Sequence, residues 1–197
     1  MKLVYSDHYD LHLGNHVFPS TKYRLIKEKL LQEKVIRPEQ LVAPAPATDD
    51  DVALVHDADY IWKLRHAKLS HVEILRMEVP YSAEMVQAVW LSAGGSILAG
   101  RLALEEGLGV NIGGGFHHAF PDHGEGFCVL NDVAIAIRRL QKDGLIERAM
   151  TVDCDVHQGN GTAAIFGGDE TVYTISIHQE NNYPYPKPPS NLDVNLH

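Results

Sequence analysis

Apolar positions along this chain follow two periods, and the switch between them divides it. Residues 2–5 read as a short strand, and residues 6–19 as a loop rich in His, Asp and Gly. Behind Ser20 as a cap, Tyr23, Leu25, Ile26, Leu30 and Leu31 recur at helical spacing, predicting a helix over residues 21–33. Ala43-Pro44-Ala45-Pro46-Ala47 is a stiff extended connector. Thr48 before Asp49, Asp50 and Asp51 places acids at the positive end of a short helix reaching about His56. A further helix is expected over residues 58–67, then an irregular stretch to Tyr81. Ser82 caps the longest helix, residues 83–106, and Gly107 ends it.

From there the pattern alternates. Strands are predicted over 108–112, 148–154 and 171–177, and helices over 130–142 and 161–166. Strand–helix–strand–helix–strand with apolar strands predicts a parallel α/β sheet with right-handed crossovers. Residues 183–189, with four prolines, cannot form a central strand. Parallel sheets present ligands beyond the carboxyl ends of their strands. Three such ends here carry histidine: Gly113-Gly114-Gly115-Phe116-His117-His118, Asp153-Cys154-Asp155-Val156-His157, and Ser176-Ile177-His178.

The middle segment is the most informative. Alternate residues of a strand share a face, so Asp153, Asp155 and His157 are expected to point the same way. Two carboxylates and an imidazole are costly to bury unless a cation sits among them, and this donor set suits Zn²⁺. A calcium loop would need glycine at its sixth position and a bidentate Glu at its twelfth; counted from Asp153, these hold Gln158 and Ala164. A solvated polar turn is the competing reading. His117 and His118 follow a glycine triplet that lets the chain bend, and imidazole is suited to acid/base work near neutral pH. The alternatives are a solvated His pair or a phosphate cradle, the latter without the Lys and Ser/Thr of a P-loop. Phe127 either walls a channel or folds over the core. Asn131 and Asp132 read as caps for the helix that follows.

Size and charge narrow the choice. The chain has 197 residues, 45% hydrophobic, enough for one domain over residues 1–197 with a sizeable core. A net charge of −9 with no Lys/Arg stripe argues against direct nucleic-acid binding. Two cysteines far apart, Cys128 and Cys154, indicate a reducing compartment rather than a disulfide framework. With no signal-peptide core and no apolar run of membrane-spanning length, the expected location is cytoplasmic, or nuclear in a eukaryote.

Taken together, Gly113-Gly114-Gly115-Phe116-His117-His118-Ala119, Gly126-Phe127-Cys128-Val129-Leu130-Asn131-Asp132 and Val152-Asp153-Cys154-Asp155-Val156-His157-Gln158-Gly159-Asn160-Gly161 resemble the signature blocks of the zinc-dependent histone deacetylase family. His16-Val17-Phe18-Pro19 with Lys22-Tyr23, and Val55-His56-Asp57 with Tyr60, are similar to its N-terminal blocks. His157-Gln158-Gly159-Asn160-Gly161 is most similar to the class IV branch and its bacterial relatives. The resemblance implies a three-layer α/β/α arginase/deacetylase-like fold with a mainly parallel central sheet, and hydrolysis of the acetyl-lysine amide in a peptide or protein or, as an alternative, of an acetylated polyamine. It implies that Asp155 and His157 are two of three Zn²⁺ ligands and that zinc activates the attacking water. His117 and His118 would be the catalytic pair, oriented by Asp153 and Asn160. Gly126, Phe127 and Tyr183 would line the substrate tunnel. Asp153, Asp155, His157, Ser176 and Ile177 would surround a monovalent cation such as K⁺. The ureohydrolases want a further Asp where this chain has Gly159.

One departure carries its own expectation. The family's third zinc-ligating Asp and oxyanion-stabilising Tyr have no counterpart here, Asp169 and Asp193 standing in the wrong context. Residues 1–197 therefore read as the N-terminal portion of such a domain. They are expected to bind zinc weakly by themselves, to lack activity, and to self-associate through an unpaired sheet edge and exposed apolar surface. A non-catalytic acyl-lysine or metal-binding module is the alternative.

Overall fold

A computed structural model describes residues 1–197. Six strands are present: β1 (Lys2–Val4), β2 (Leu41–Val42), β3 (Gly109–Asn111), β4 (Ala149–Asp153), β5 (Val172–Gln179) and β6 (Leu192–Leu196). The α-helices are α1 (Lys22–Gln32), α2 (Asp49–Val52), α3 (Ala58–Arg65), α4 (His71–Met77), α5 (Ala83–Glu106), α6 (Asp132–Lys142) and α7 (Asn160–Phe166). Every strand pairing is parallel. The strands form two three-stranded sheets, ordered β2-β1-β3 and β4-β5-β6, rather than the single sheet expected. Parallel sheets flanked by helices make this the α/β architecture expected from the alternation of strand and helix patterns.

Helix α5 is the spine. Ser82 accepts a hydrogen bond from the Met85 amide at its start, and Gly107, at φ 82°, ends it in the left-handed conformation. Its apolar residues join α3, α4 and α6 in the main core, where Trp90, Tyr60, Leu64, Met85, Leu130 and Ile135 are fully buried. Helix α6 is buried on two sides, Ile135 and Ala136 in the main core and Ala134 and Ile137 in a second cluster, while Lys142 is exposed.

Four expectations need correction. Helix α4 lies within the stretch read as irregular. Ser70 and Glu73 close a capping box at its start, a signal of the Ser-x-x-Glu type. The apolar stripe of α1 is largely unburied, because only Tyr23 reaches the core while Leu25 and Ile26 are exposed. β4 is not buried on both faces: Met150 and Val152, with Tyr173 of β5, lie open to solvent, while on the opposite face Val172 of β5 packs with Ala134 and Ile137 of α6 and Phe166 of α7. β5, matching the last strand expected, is central in its sheet: the edges there are β4 and β6, and β6, an element not expected, pairs with β5 from Ile175↔Leu192 to Gln179↔Leu196. The proline segment 183–189 is indeed not a strand. No helix is long and apolar enough to cross a membrane.

His56, in the turn between α2 and α3, is a buried brace. Its Nδ1 lies 2.9 Å from the Phe120 carbonyl and its Nε2 accepts the Asn131 amide at 3.0 Å. Only the neutral ring with Nδ1 protonated satisfies both partners. Burial holds its pKa down at about 4, against 6.5 for a free histidine. An unfolded chain takes up a proton near pH 6.5 and the folded one only near pH 4, so acid favours unfolding. The stabilisation is whole above pH 6.5 and is lost as pH falls towards 4, by about 3 kcal/mol. Urea midpoints at pH 7 and pH 4.5 should show this loss in the wild type and not in His56→Asn. Equal pH dependence in the two proteins would refute it.

Candidate active site

The strand ends bring the three histidine-bearing segments together, though not by the route expected. β4 stops at Asp153, so Asp153, Asp155 and His157 do not share a strand face. A local turn replaces it. The Asp155 amide donates to Asp153 Oδ1 at 3.0 Å, and the His157 amide donates to Asp155 Oδ1 at 2.8 Å. Short carboxylates that capture a backbone N–H two residues on are a turn device. The turn aims Asp155 and His157 at the pocket and leaves Asp153 behind them.

His117 and His118 approach from the loop after β3. Gly115, at φ 96°, supplies the bend, and the His117 carbonyl receives the Thr162 amide of α7 at 3.0 Å. The two imidazoles then lie side by side, ring centres 4.0 Å apart. His117 Nδ1 is 2.5 Å from Asp153 Oδ2, and His118 Nδ1 is 2.6 Å from Asn160 Oδ1. Burial raises the Asp153 pKa, but the His117 hydrogen bond and charge outweigh it and the net direction is down. His118 is 4% exposed. Burial, with His117 alongside, lowers its pKa to about 4 against a partial counter-effect from Asn160, so it is neutral at pH 7.

These groups face a cavity of about 440 Å³ whose lining includes His117, His118, Asp155, His157, Gly126, Phe127 and Tyr183. Asp153 and Asn160 stand behind it, each on one histidine. Phe127 does both things the sequence allows: its ring packs on the main core and also lines the cavity. Tyr183 meets His118 edge-on at 5.0 Å. The group assigned to a monovalent cation is divided. Asp153 and Ser176 border a separate small cavity between the β4–β5 pair and α7, while Asp155 and His157 line the large one and Ile177 lines neither.

The fit to a metal rests on the donors. Asp155 Oδ1 and His157 Nδ1 are 3.1 Å apart. Two ligands bonded at 2.0–2.1 Å in a tetrahedron are separated by roughly 3.3 Å, so this oxygen–nitrogen pair suits zinc. No group of three His, Cys, Asp or Glu side chains is arranged to hold an ion. Asp169 pairs with Arg138, and Asp193 accepts from Gln158 and the Ser190 amide. Both are occupied elsewhere.

Three residues of the site were given no functional role from the sequence, although Lys22 and Asp132 lie within the blocks that carry the resemblance. Asp132, read as a cap, is fully buried below the glycine loop and accepts the amides of Gly115 at 3.0 Å and Phe116 at 2.8 Å, together with the Ser96 hydroxyl. It thereby fixes the His117 loop, while Asn131 does the capping through the Ala134 amide. Burial pushes the Asp132 carboxyl up despite those donors. Lys22 stands at the cavity with Nζ 3.9 Å over the Phe18 ring. Glu125 lies beside Asn160 and Tyr183.

Comparison with known proteins bears on this geometry. Residues 16–194 match the histone deacetylase domain family. An uncharacterised protein of Picosynechococcus is 47% identical over 92% of this chain and 60% of its own length. The acetoin utilization protein AcuC of Staphylococcus aureus is 33% identical over 93% of this chain and 50% of its own. Histone deacetylase 2 of Arabidopsis thaliana is 31% identical over 94% and 50%. The chain thus spans about half the length of the curated relatives it matches. Among solved structures, the HD domain of HDA15 superposes with a TM-score of 0.80 at 24% identity, covering 94% of this chain and 56% of that one. An HDAC homologue complexed with SAHA gives 0.76 at 24% identity, covering 99% and 58%. These two establish the fold.

Proposed function

The chain belongs to the histone deacetylase family, and from that premise we propose that it forms the N-terminal portion of a zinc-dependent amidohydrolase that cleaves the acetyl-lysine amide. The observation that carries the reading is the meeting, in one cavity, of the Asp155–His157 donor pair with two histidines, each backed by its own polar partner.

Asp155 and His157 would hold zinc, which when bound polarises an amide carbonyl and acidifies water. His118 is neutral, gives its Nδ1–H to Asn160 and keeps the Nε2 lone pair to receive a proton. His117 leans on the Asp153 carboxylate, which stabilises positive charge on that ring and fixes its orientation. Asn160, being neutral, supports an imidazolium at His118 less than a carboxylate would. Phe127 and Tyr183 give the acetyl-lysine stem apolar walls and limit water at the reacting amide. K⁺ beside Asp153 and Ser176 would offset the carboxylate there. Catalytic zinc takes three protein ligands, so the activity is proposed for a complete domain in which the third comes from outside these 197 residues.

The test compares this chain alone with the same chain fused to the C-terminal part of the Picosynechococcus relative. Zinc content, size-exclusion behaviour and turnover of an acetyl-lysine peptide and an acetylpolyamine are measured. The chain alone should bind zinc weakly, self-associate and turn over nothing. The fusion should hold zinc and hydrolyse one or both substrates, and lose that activity to a chelator. A monomeric, zinc-loaded, active short form would overturn the assignment of the third ligand. A folded, zinc-loaded but inactive fusion would favour a binding module over an enzyme.

A further inference from the structure

We propose that Glu125 is a positioning residue: its carboxylate locks the Asn160 amide, and so sets which nitrogen of His118 faces the cavity without a proton. The catalytic meaning of this rests on the deacetylase reading, but the lock itself does not.

Asparagine is an ambiguous partner for an imidazole. An amide group is nearly symmetric in shape, yet one end only accepts and the other only donates. With its oxygen towards His118, Asn160 accepts the Nδ1–H and leaves Nε2 as a base. With its nitrogen towards His118, it would donate to Nδ1, place the proton on Nε2, and leave no base facing the cavity. A carboxylate at position 160 would have no such ambiguity.

Glu125 resolves it. Asn160 Nδ2 donates to Glu125 Oε1 at 2.7 Å while Asn160 Oδ1 meets His118 Nδ1 at 2.6 Å. A carboxylate at pH 7 accepts only, so the reverse orientation would set two oxygens against each other. The same Oε1 receives the Tyr183 hydroxyl at 2.9 Å, and Tyr183 packs edge-on to His118. The other oxygen, Oε2, lies 3.4 Å from Arg76 Nε and 3.6 Å from His123 Nε2. The Glu125 side chain is 17% exposed. One charge-assisted group thus holds both the amide behind the base and the ring that walls the cavity.

Glu125 is itself held by a tight turn. Its amide and carbonyl both bond to Cys128, at 3.0 and 2.9 Å, around Gly126 at φ 53° and Phe127 at φ 67°. Two successive positive φ values are the mark of a type I′ turn, and an aromatic residue there is strained. A Cβ on Gly126 would come 2.8 Å from both His118 Cδ2 and the Tyr183 hydroxyl. The turn therefore presses its backbone against His118 while it sends Glu125 behind and Phe127 into the cavity.

A second consequence concerns position 160. An aspartate there would stand about as close to Glu125 as Asn160 does, and two carboxylates at that distance repel. Glu125 and Asn160 form a matched pair, and exchanging one calls for exchanging the other.

Long-range ¹H–¹⁵N imidazole spectra of the metal-free protein at pH 7.5 read the His118 tautomer directly, with His118→Asn identifying its resonances. The wild type should show a single Nδ1–H form. Glu125→Gln, which keeps shape but can donate as well as accept, should give a mixture with Nε2–H. The double variant Glu125→Gln/Asn160→Asp should return His118 to Nδ1–H. Asn160→Asp with Glu125 intact should melt below that double variant. An unchanged tautomer in both Glu125→Gln and Glu125→Ala, or no recovery in the double variant, would overturn the proposal. These readouts involve no turnover: a zinc-loaded fusion that shows all of them yet hydrolyses neither substrate would sink the deacetylase reading and leave the role of Glu125 standing.

Discussion

His118→Ala is expected to lower kcat for acetyl-lysine hydrolysis by on the order of 10²-fold or more, the usual loss when a positioned acid/base group is removed. Zinc content should stay near that of the wild type, because His118 sits on Asn160 and not between Asp155 and His157. KM should change less than kcat, since the ring forms one wall of the cavity among several. The side chain is buried, so truncation to alanine opens a void beside Asn160. His118→Asn fills more of that space and serves as a check on folding. The measurement is steady-state turnover of an acetyl-lysine peptide by the zinc-loaded fusion, with thermal melts of each variant. Near-normal turnover in both would reduce the His pair to a feature of the glycine loop.

Zinc itself should be lost when either donor is removed. His157→Ala should lower affinity by more than the 10–100-fold that changes around a ligand cost, because a bonded ligand disappears. The fold should survive, as the His157 side chain is 38% exposed and its ring neighbours, His118 and Tyr183, line the cavity. Asp155→Ala carries a second effect: it also removes the acceptor for the His157 amide. Asp155→Asn keeps an oxygen for that turn while discarding the charge, and so separates ligation from local folding. Metal content after dialysis against a graded chelator series gives the affinities. Full stoichiometric zinc in His157→Ala and Asp155→Asn alike would end the assignment.

Much of this was legible along the chain, and the reasons are local. Helix α5 could be placed to its terminal residues because a cap, a long apolar run and a left-handed glycine are all written within it. His117, His118, Asp155 and His157 stood out because imidazoles and carboxylates at strand ends are rare unless used. Helix α4 was equally local: Ser70 and Glu73 carried its signal in advance. The unburied stripe of α1 is a different kind of miss. Periodicity says which side chains share a face of a helix, and not whether anything packs against that face.

Along the chain itself, amino-acid order determined the parallel α/β architecture, the segments that bear histidine and the family. All of these depend on periodicity, caps or residue runs within a few positions. The tertiary structure decided which partner each group meets. That Asp132 holds the glycine loop and not only a helix end follows from amides sixteen and seventeen residues away in sequence. That Glu125 reaches Asn160 follows from a separation of thirty-five. Asp155 and His157 converge through a turn that begins where β4 stops, not through strand alternation. Hydrogen bonds of 2.5–3.2 Å select among donors and acceptors only after folding has brought them within reach. The chemistry of single residues was therefore set by the sequence, and their pairing by the fold.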